Sequence, residues 1–100
     1  MSKLKNMKLK NLFTETKDVQ TNVLRKVEEG NVIALQIDKE KTLKEHVSKV
    51  PAILICVSGK AVYKEENRKV KLSKGKYVLI APNVIHEVIA KKKSNFILVK

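Results

Sequence analysis

One hundred residues, 43% hydrophobic and 32% charged, with a formal charge of +12, suffice for one domain around one core. A single cysteine, Cys56, excludes an internal disulfide, and the longest apolar run, Ala52 to Val57, is too short to cross a bilayer. With no Trp, two Tyr and two Phe, the core must be built from Val, Ile and Leu, of which the β-branched pair favour strands.

From the N-terminus, residues 1–6 read as an extension without the apolar stretch of a secretory signal, so a soluble, cytoplasmic protein is expected. Met7-Lys8-Leu9-Lys10-Asn11-Leu12 alternates enough to predict a short edge strand, and Phe13 to Thr21 reads as a polar loop. The reading therefore divides the chain into an extension and edge strand over 1–12 and one β-barrel domain over 13–100. Val32 to Ile37, Ala52 to Val57, Tyr77 to Ile80, Val84 to Ala90 and Phe96 to Val99 predict strands apolar on both faces. Such strands are covered by a second sheet or by a second subunit. Val70 and Leu72 alternate with Lys69, Lys71 and Ser73, as in a strand with one wet face.

Turn signals separate these runs at Gly30-Asn31, 38–41, 48–51, 58–60, 65–68, 73–75, Pro82-Asn83 and 91–95. No interval between them accommodates a typical helix. Short strands punctuated every eight to twelve residues or so predict an all-β sandwich or barrel.

The charge invites a nucleic-acid reading, but 20 of the 22 basic residues are lysine. Bidentate readers of bases and phosphates favour arginine, and the lysines are scattered along every strand and turn. A lysine-rich solvated surface is expected, with weak polyanion affinity at low salt and no specific nucleic-acid or membrane partner. There is no Gly-rich phosphate loop, paired-cysteine zinc pattern or Gly-X-Ser-X-Gly elbow.

The chain's two histidines, His46 and His86, each fall in a strand–turn–strand segment. Three roles are open for them: metal ligands, hydrogen-bonding or proton-transfer groups in a metal-free pocket, or hydrogen-bonded core residues. Cys56 shares the parity of Ala52 and Leu54 and is expected inside as a small hydrophobe. Glu45 and Glu87 have the opposite parity to their neighbouring histidines and are expected outside, against lysines.

From Val32 to Val99 the chain resembles a small single-domain cupin of the RmlC-like kind. Taking Gly59 as the closing glycine of the first cupin motif puts the motif's histidines at His46 and Ser48 and its glutamate at Ala52. In the second motif Gly75 and His86 match, Pro82 lies one position off, and Lys76 replaces an acidic residue. The resemblance implies a double-stranded β-helix, or jelly-roll barrel, and a homodimer extending one sheet. It implies a central pocket for a small-molecule ligand, lined by His46, His86, Ser48, Ala52, Leu54, Ile80 and Val84. The family's four-ligand metal site is half present, so a weakly held divalent ion (Zn, Ni, Mn or Fe) on His46 and His86 is the implied cofactor. A metal-dependent dioxygenase or isomerase is the alternative activity, and a weak polyanion-binding module the third.

Overall fold

The computed structural model describes residues 8–27 and 30–100, without the side chains of Val27 and His46. Among these residues nine strands follow a short 3₁₀ turn at Leu9–Leu12: β1 Val19–Val27, β2 Gly30–Ile37, β3 Thr42–His46, β4 Ala52–Ser58, β5 Lys60–Glu65, β6 Arg68–Ser73, β7 Tyr77–Ile80, β8 His86–Ala90 and β9 Ser94–Val99. They form two antiparallel sheets, one of five strands ordered β1-β2-β9-β4-β7 and one of four ordered β3-β8-β5-β6.

Only β1–β2 and β5–β6 are hairpins within a sheet; every other connection carries the chain from one sheet to the other. This is the jelly-roll arrangement expected from the sequence. Gly59 is the single residue between β4 and β5, which lie in opposite sheets, and makes its corner with φ +96°. That conformation costs glycine little and other residues much.

The runs that are apolar throughout become strands with two different faces. In the five-stranded sheet, Ile33, Leu98, Leu54 and Val78 stand in one inward row, and Leu35, Phe96 and Cys56 in the next. Tyr63, Leu72, Val88 and Ala90 meet them from the other sheet in one continuous core. Cys56 is fully buried there.

The outward residues of the same sheet also run in transverse rows. Val32, Val99, Ile53 and Leu79 form one, and Ala34, Ile97, Ile55 and Tyr77 the next. The third is polar. Gln20 donates to Gln36 at 3.3 Å, Gln36 to Asn95 at 3.0 Å, and Asn95 to Ser58 at 3.0 Å, crossing β1, β2, β9 and β4.

Two N-terminal expectations need correction. Leu9–Leu12 is a 3₁₀ turn, with the Asn11 amide donating to the Lys8 carbonyl at 3.0 Å, and not an edge strand; Met7 lies outside the described residues. The edge position belongs to β1, whose Val19, Thr21 and Val23 pair with Ile37, Leu35 and Ile33. The predicted loop therefore ends at Asp18. Gly30 and Asn31, read as a turn, are already paired with Val27 and Lys26.

Candidate functional site

The barrel interior is apolar at one end and polar at the other. Along β5 the inward positions run Ala61, Tyr63, Glu65; opposite them on β8 stand Ala90, Val88 and His86. The two-residue turn Glu66-Asn67 then sets Arg68 of β6 directly across from Glu65. Strand alternation and one short turn thus deliver His86, Tyr63, Glu65 and Arg68 to the same mouth.

These four groups are bonded into one cluster. The His86 ring is stacked on Tyr63 with centroids 5.6 Å apart and planes 30° from parallel. His86 Nδ1 lies 3.0 Å from the Val84 carbonyl. A carbonyl only accepts, so Nδ1 carries the proton and, in the neutral ring, Nε2 does not. The Tyr63 hydroxyl donates to Glu65 Oε2 at 2.5 Å. Arg68 grips the same carboxylate bidentately, both bonds 2.9 Å, and also donates to the Leu79 carbonyl at 2.9 Å. Its guanidinium lies over the Tyr63 ring, 5.6 Å from the centroid. Arg68 therefore joins β6 of one sheet to β7 of the other across the mouth.

Electrostatics follow from this geometry. Arg68, by its hydrogen bonds above all, holds the Glu65 carboxyl below its ordinary range despite partial burial. Burial, and then donation to Glu65, push the Tyr63 phenol well above its ordinary value, so it is a donor at any working pH.

The sequence-predicted pocket residues fall into three groups. His46 is Cα-paired directly opposite His86, after a bulge in β3; its side chain lies outside the described residues. Val84 supplies the carbonyl that orients His86. Ala52, Leu54 and Ile80, no more than 6% exposed, are packed into the core from the facing sheet. Ser48 sits in the β3–β4 loop, its hydroxyl donating to the Val50 carbonyl at 3.0 Å, and its own carbonyl accepts from the Asn83 amide at 2.7 Å. Glu87 faces outward onto Lys64 at 3.6 Å. In sequence Glu65 and Arg68 read only as turn residues. The available signal was the inward alternation Ala61, Tyr63, Glu65 continuing to the strand end.

Outside Glu65 the mouth opens into a cleft of about 380 Å³ lined by Glu45, Lys64, Glu65, Glu66, Ile85 and Glu87. Four of the chain's ten acidic residues are gathered here, so the rim is acidic although the chain is strongly basic.

The donor set does not fit a resident metal ion. At the family's four ligand positions stand His46, His86, a serine whose hydroxyl is spent within its own loop, and an alanine with no donor. The nearest carboxylate, Glu65, is occupied by Arg68 and Tyr63. Among the described residues no three of His, Cys, Asp and Glu converge closely enough to hold an ion. Two imidazoles alone give at most an exchangeable site.

At the opposite end, the lysines that look scattered in sequence are partly gathered. Lys60, Lys71, Lys76 and Lys91 line a groove of about 340 Å³ with Ala61, Val62, Leu72 and Ser73. Among the described residues none of these lysines forms an ion pair.

No family model and no curated protein matches the chain. Solved structures do. A cupin superfamily protein from Desulfitobacterium hafniense is 13% identical and superimposes with a TM-score of 0.86 over 99% of this chain and 92% of its own. A conserved protein of unknown function from Streptococcus pyogenes is 17% identical, with a TM-score of 0.82 over 99% of this chain and 88% of its own. A cupin-like protein from Thermotoga maritima is 26% identical, with a TM-score of 0.76 over 85% and 69%.

Proposed function

Since the chain has the fold of the small cupins, we propose that it binds a small molecule at the polar mouth of its barrel without a resident metal. One observation carries this reading: His86, Tyr63, Glu65 and Arg68 converge, hydrogen-bonded to one another or to backbone, at one end of an otherwise apolar interior. Binding sites are typically apolar hollows with a few convergent polar groups. The buried, stacked Tyr63 and His86 rings back the site from behind, and the Glu65–Arg68 pair stands where a ligand enters. The acidic rim favours neutral or cationic ligands over anions. Ala52, Leu54, Ile80 and Val84 shape the floor and support the histidine.

An oxygenase or isomerase reaction routed through a held ion is not part of this reading, because the donor set supplies no such ion. The test is a fragment screen on isotopically labelled protein, read by amide and imidazole chemical shifts. Fragments are expected to perturb His86, Tyr63 and Arg68 together, and Arg68→Gln or His86→Ala is expected to weaken the same fragments about tenfold or more. Hits clustering elsewhere, or unmoved by both substitutions, would defeat the proposal.

A second reading rests on the lysine groove. Lys60, Lys71, Lys76 and Lys91 suit a phosphate-bearing polyanion as point charges. Heparin or duplex DNA binding there should fall steeply with added salt and weaken in Lys71→Gln and Lys76→Gln; affinity that ignores salt excludes it.

A further inference from the structure

We propose that the end of the barrel opposite the polar mouth is a docking surface for duplex nucleic acid, built from lysines on two pinned turns and blind to base sequence. This rests on the second reading above, that the groove takes phosphate, and extends it from four lysines to the whole end and to a partner. From Lys69 to Lys100 the chain has a single carboxylate, Glu87, which lines the mouth cleft beside Lys64. The fold carries the lysines of that stretch to the other end. The Lys60 carbonyl accepts from the Lys91 amide at 2.8 Å, the Lys92 amide at 3.2 Å and the Ser94 hydroxyl at 3.1 Å. These bonds pin the β8–β9 turn, Lys91-Lys92-Lys93, to the start of β5. The Gly75 amide donates to the Cys56 carbonyl and the Cys56 amide to the Lys76 carbonyl, both at 2.8 Å. These pin the β6–β7 turn, with Lys74 and Lys76, to β4. Lys60 pairs with Ser73 and Val62 with Lys71 across β5 and β6. Lys60, Lys71, Lys74, Lys76, Lys91, Lys92 and Lys93 therefore stand in or beside one groove. All are exposed, and none forms an ion pair among the described residues. The adjoining β2–β3 turn adds Asp38 and Glu40 but also Lys39 and Lys41, and so leaves the balance unchanged.

The chemistry of this end selects the partner. Lysines on fixed backbone offer point charges that neutralise phosphates without reading bases. No aromatic residue lines the groove, so the unstacked bases of a single strand would find no platform there. Val62 and Leu72 lie in the groove and Leu72 is 2% exposed, so the groove offers no apolar wedge to a bilayer. Lysine ridges around a hollow of about 340 Å³ suit a phosphate backbone entering from above better than a planar lipid surface. Two neighbouring turns rooted in one rigid barrel also spare the entropy of ordering a loop when the backbone docks.

The full chain is titrated into fluorescein-labelled duplexes of mixed sequence, about 20 base pairs long, over a range of salt, with anisotropy as the readout. The logarithm of the association constant should fall with the logarithm of salt with a slope near −6, since each neutralised phosphate contributes about −0.9; the four groove lysines alone would give about −3.6. Lys92→Gln with Lys93→Gln should lower the slope by about two and weaken binding about tenfold or more at about 0.1 M salt, and Lys71→Gln with Lys76→Gln should do the same. Lys49→Gln with Lys69→Gln removes equal charge at the mouth end and should change neither. The circular dichroism spectrum should be unaltered throughout, because every substituted side chain is exposed. Absence of salt-dependent binding defeats the groove reading and this inference together. A slope that answers to the groove pair but not to the turn pair leaves the groove reading standing and overturns the inference. Equal losses in the mouth-end control assign the affinity to net charge and overturn it, as does tighter binding to anionic phospholipid vesicles than to duplex at equal phosphate.

Discussion

Gly59 and Gly75 both lie at positive φ, +96° and +86°, yet they differ in what surrounds them. A Cβ on Gly59 would sit 2.5 Å from the Lys93 carbonyl and against Ser94, whereas one on Gly75 would meet nothing within 4 Å. Gly59→Ala therefore combines backbone strain with a collision against backbone and should cost about 3 kcal/mol or more, while Gly75→Ala should cost about 1 kcal/mol. Urea unfolding of the two variants checks the difference; equal costs would refute it. At the mouth, the ionisation of Glu65 is coupled to folding. Arg68 depresses its folded pKa below the ordinary 4.5, so the unfolded chain binds the proton more readily. This stabilisation is complete above about pH 4.5 and is lost as pH falls through the folded value. Wild-type stability should thus decline, as pH falls below about 4.5 and through the lowered folded value, more steeply than that of Glu65→Gln.

Among the strands, legibility tracked how much of the pattern was apolar. β2, β4 and β6 to β9 announce themselves by Val, Ile and Leu between turn residues, whereas β5, with Val62 as its one such residue, does not. β1 did not, because its inward positions read Val19, Thr21, Val23 and its outward ones are Gln20 and Asn22. Leu9 and Leu12 mimicked alternation without a strand to pair with. The site was half readable for a related reason. His86 and its partner strand position His46 follow from motif spacing, whereas Glu65 and Arg68 gain meaning only when β8 and β7 are laid beside them, which no local window reveals. The polar row across β1, β2, β9 and β4 was equally hidden. Asn95 is its centre, bonded to both Gln36 and Ser58. Asn95→Ala should leave buried groups unpaired and cost about 1–3 kcal/mol, with Gln20→Ala, at the row's outer end, costing about 1 kcal/mol or less. Thermal unfolding separates the two.

Taken whole, the molecule is polarised. Carboxylates collect around the polar mouth, lysines without an ion pair among the described residues around the opposite groove, and the outer face of the five-stranded sheet is apolar in two rows from β2 to β7. The cupin fold hosts many functions, so the side chains at the mouth must decide which one applies. Their composition predicts an unmetallated protein. Elemental analysis of untagged protein should find no stoichiometric transition metal, and EDTA should leave the Tm unchanged; a metal that copurifies and is lost in His86→Ala would contradict the donor-set argument. No helix among the described residues is long and apolar enough to cross a membrane.

The two-sided apolarity of β4 matters before the barrel has closed. Ala52 to Val57 is a six-residue, uncharged, β-prone stretch whose neighbours in the sheet, β7 and β9, arrive from some 20 and 40 residues further along the chain. Until they pair with it, this stretch is free to find its equal in another nascent chain. Mutual repulsion between highly charged chains is then the main safeguard against cross-β association, with Lys49 and Lys60 flanking the segment as gatekeepers. Salt should lower the yield of soluble protein recovered on dilution from denaturant, even as it leaves the finished barrel unharmed.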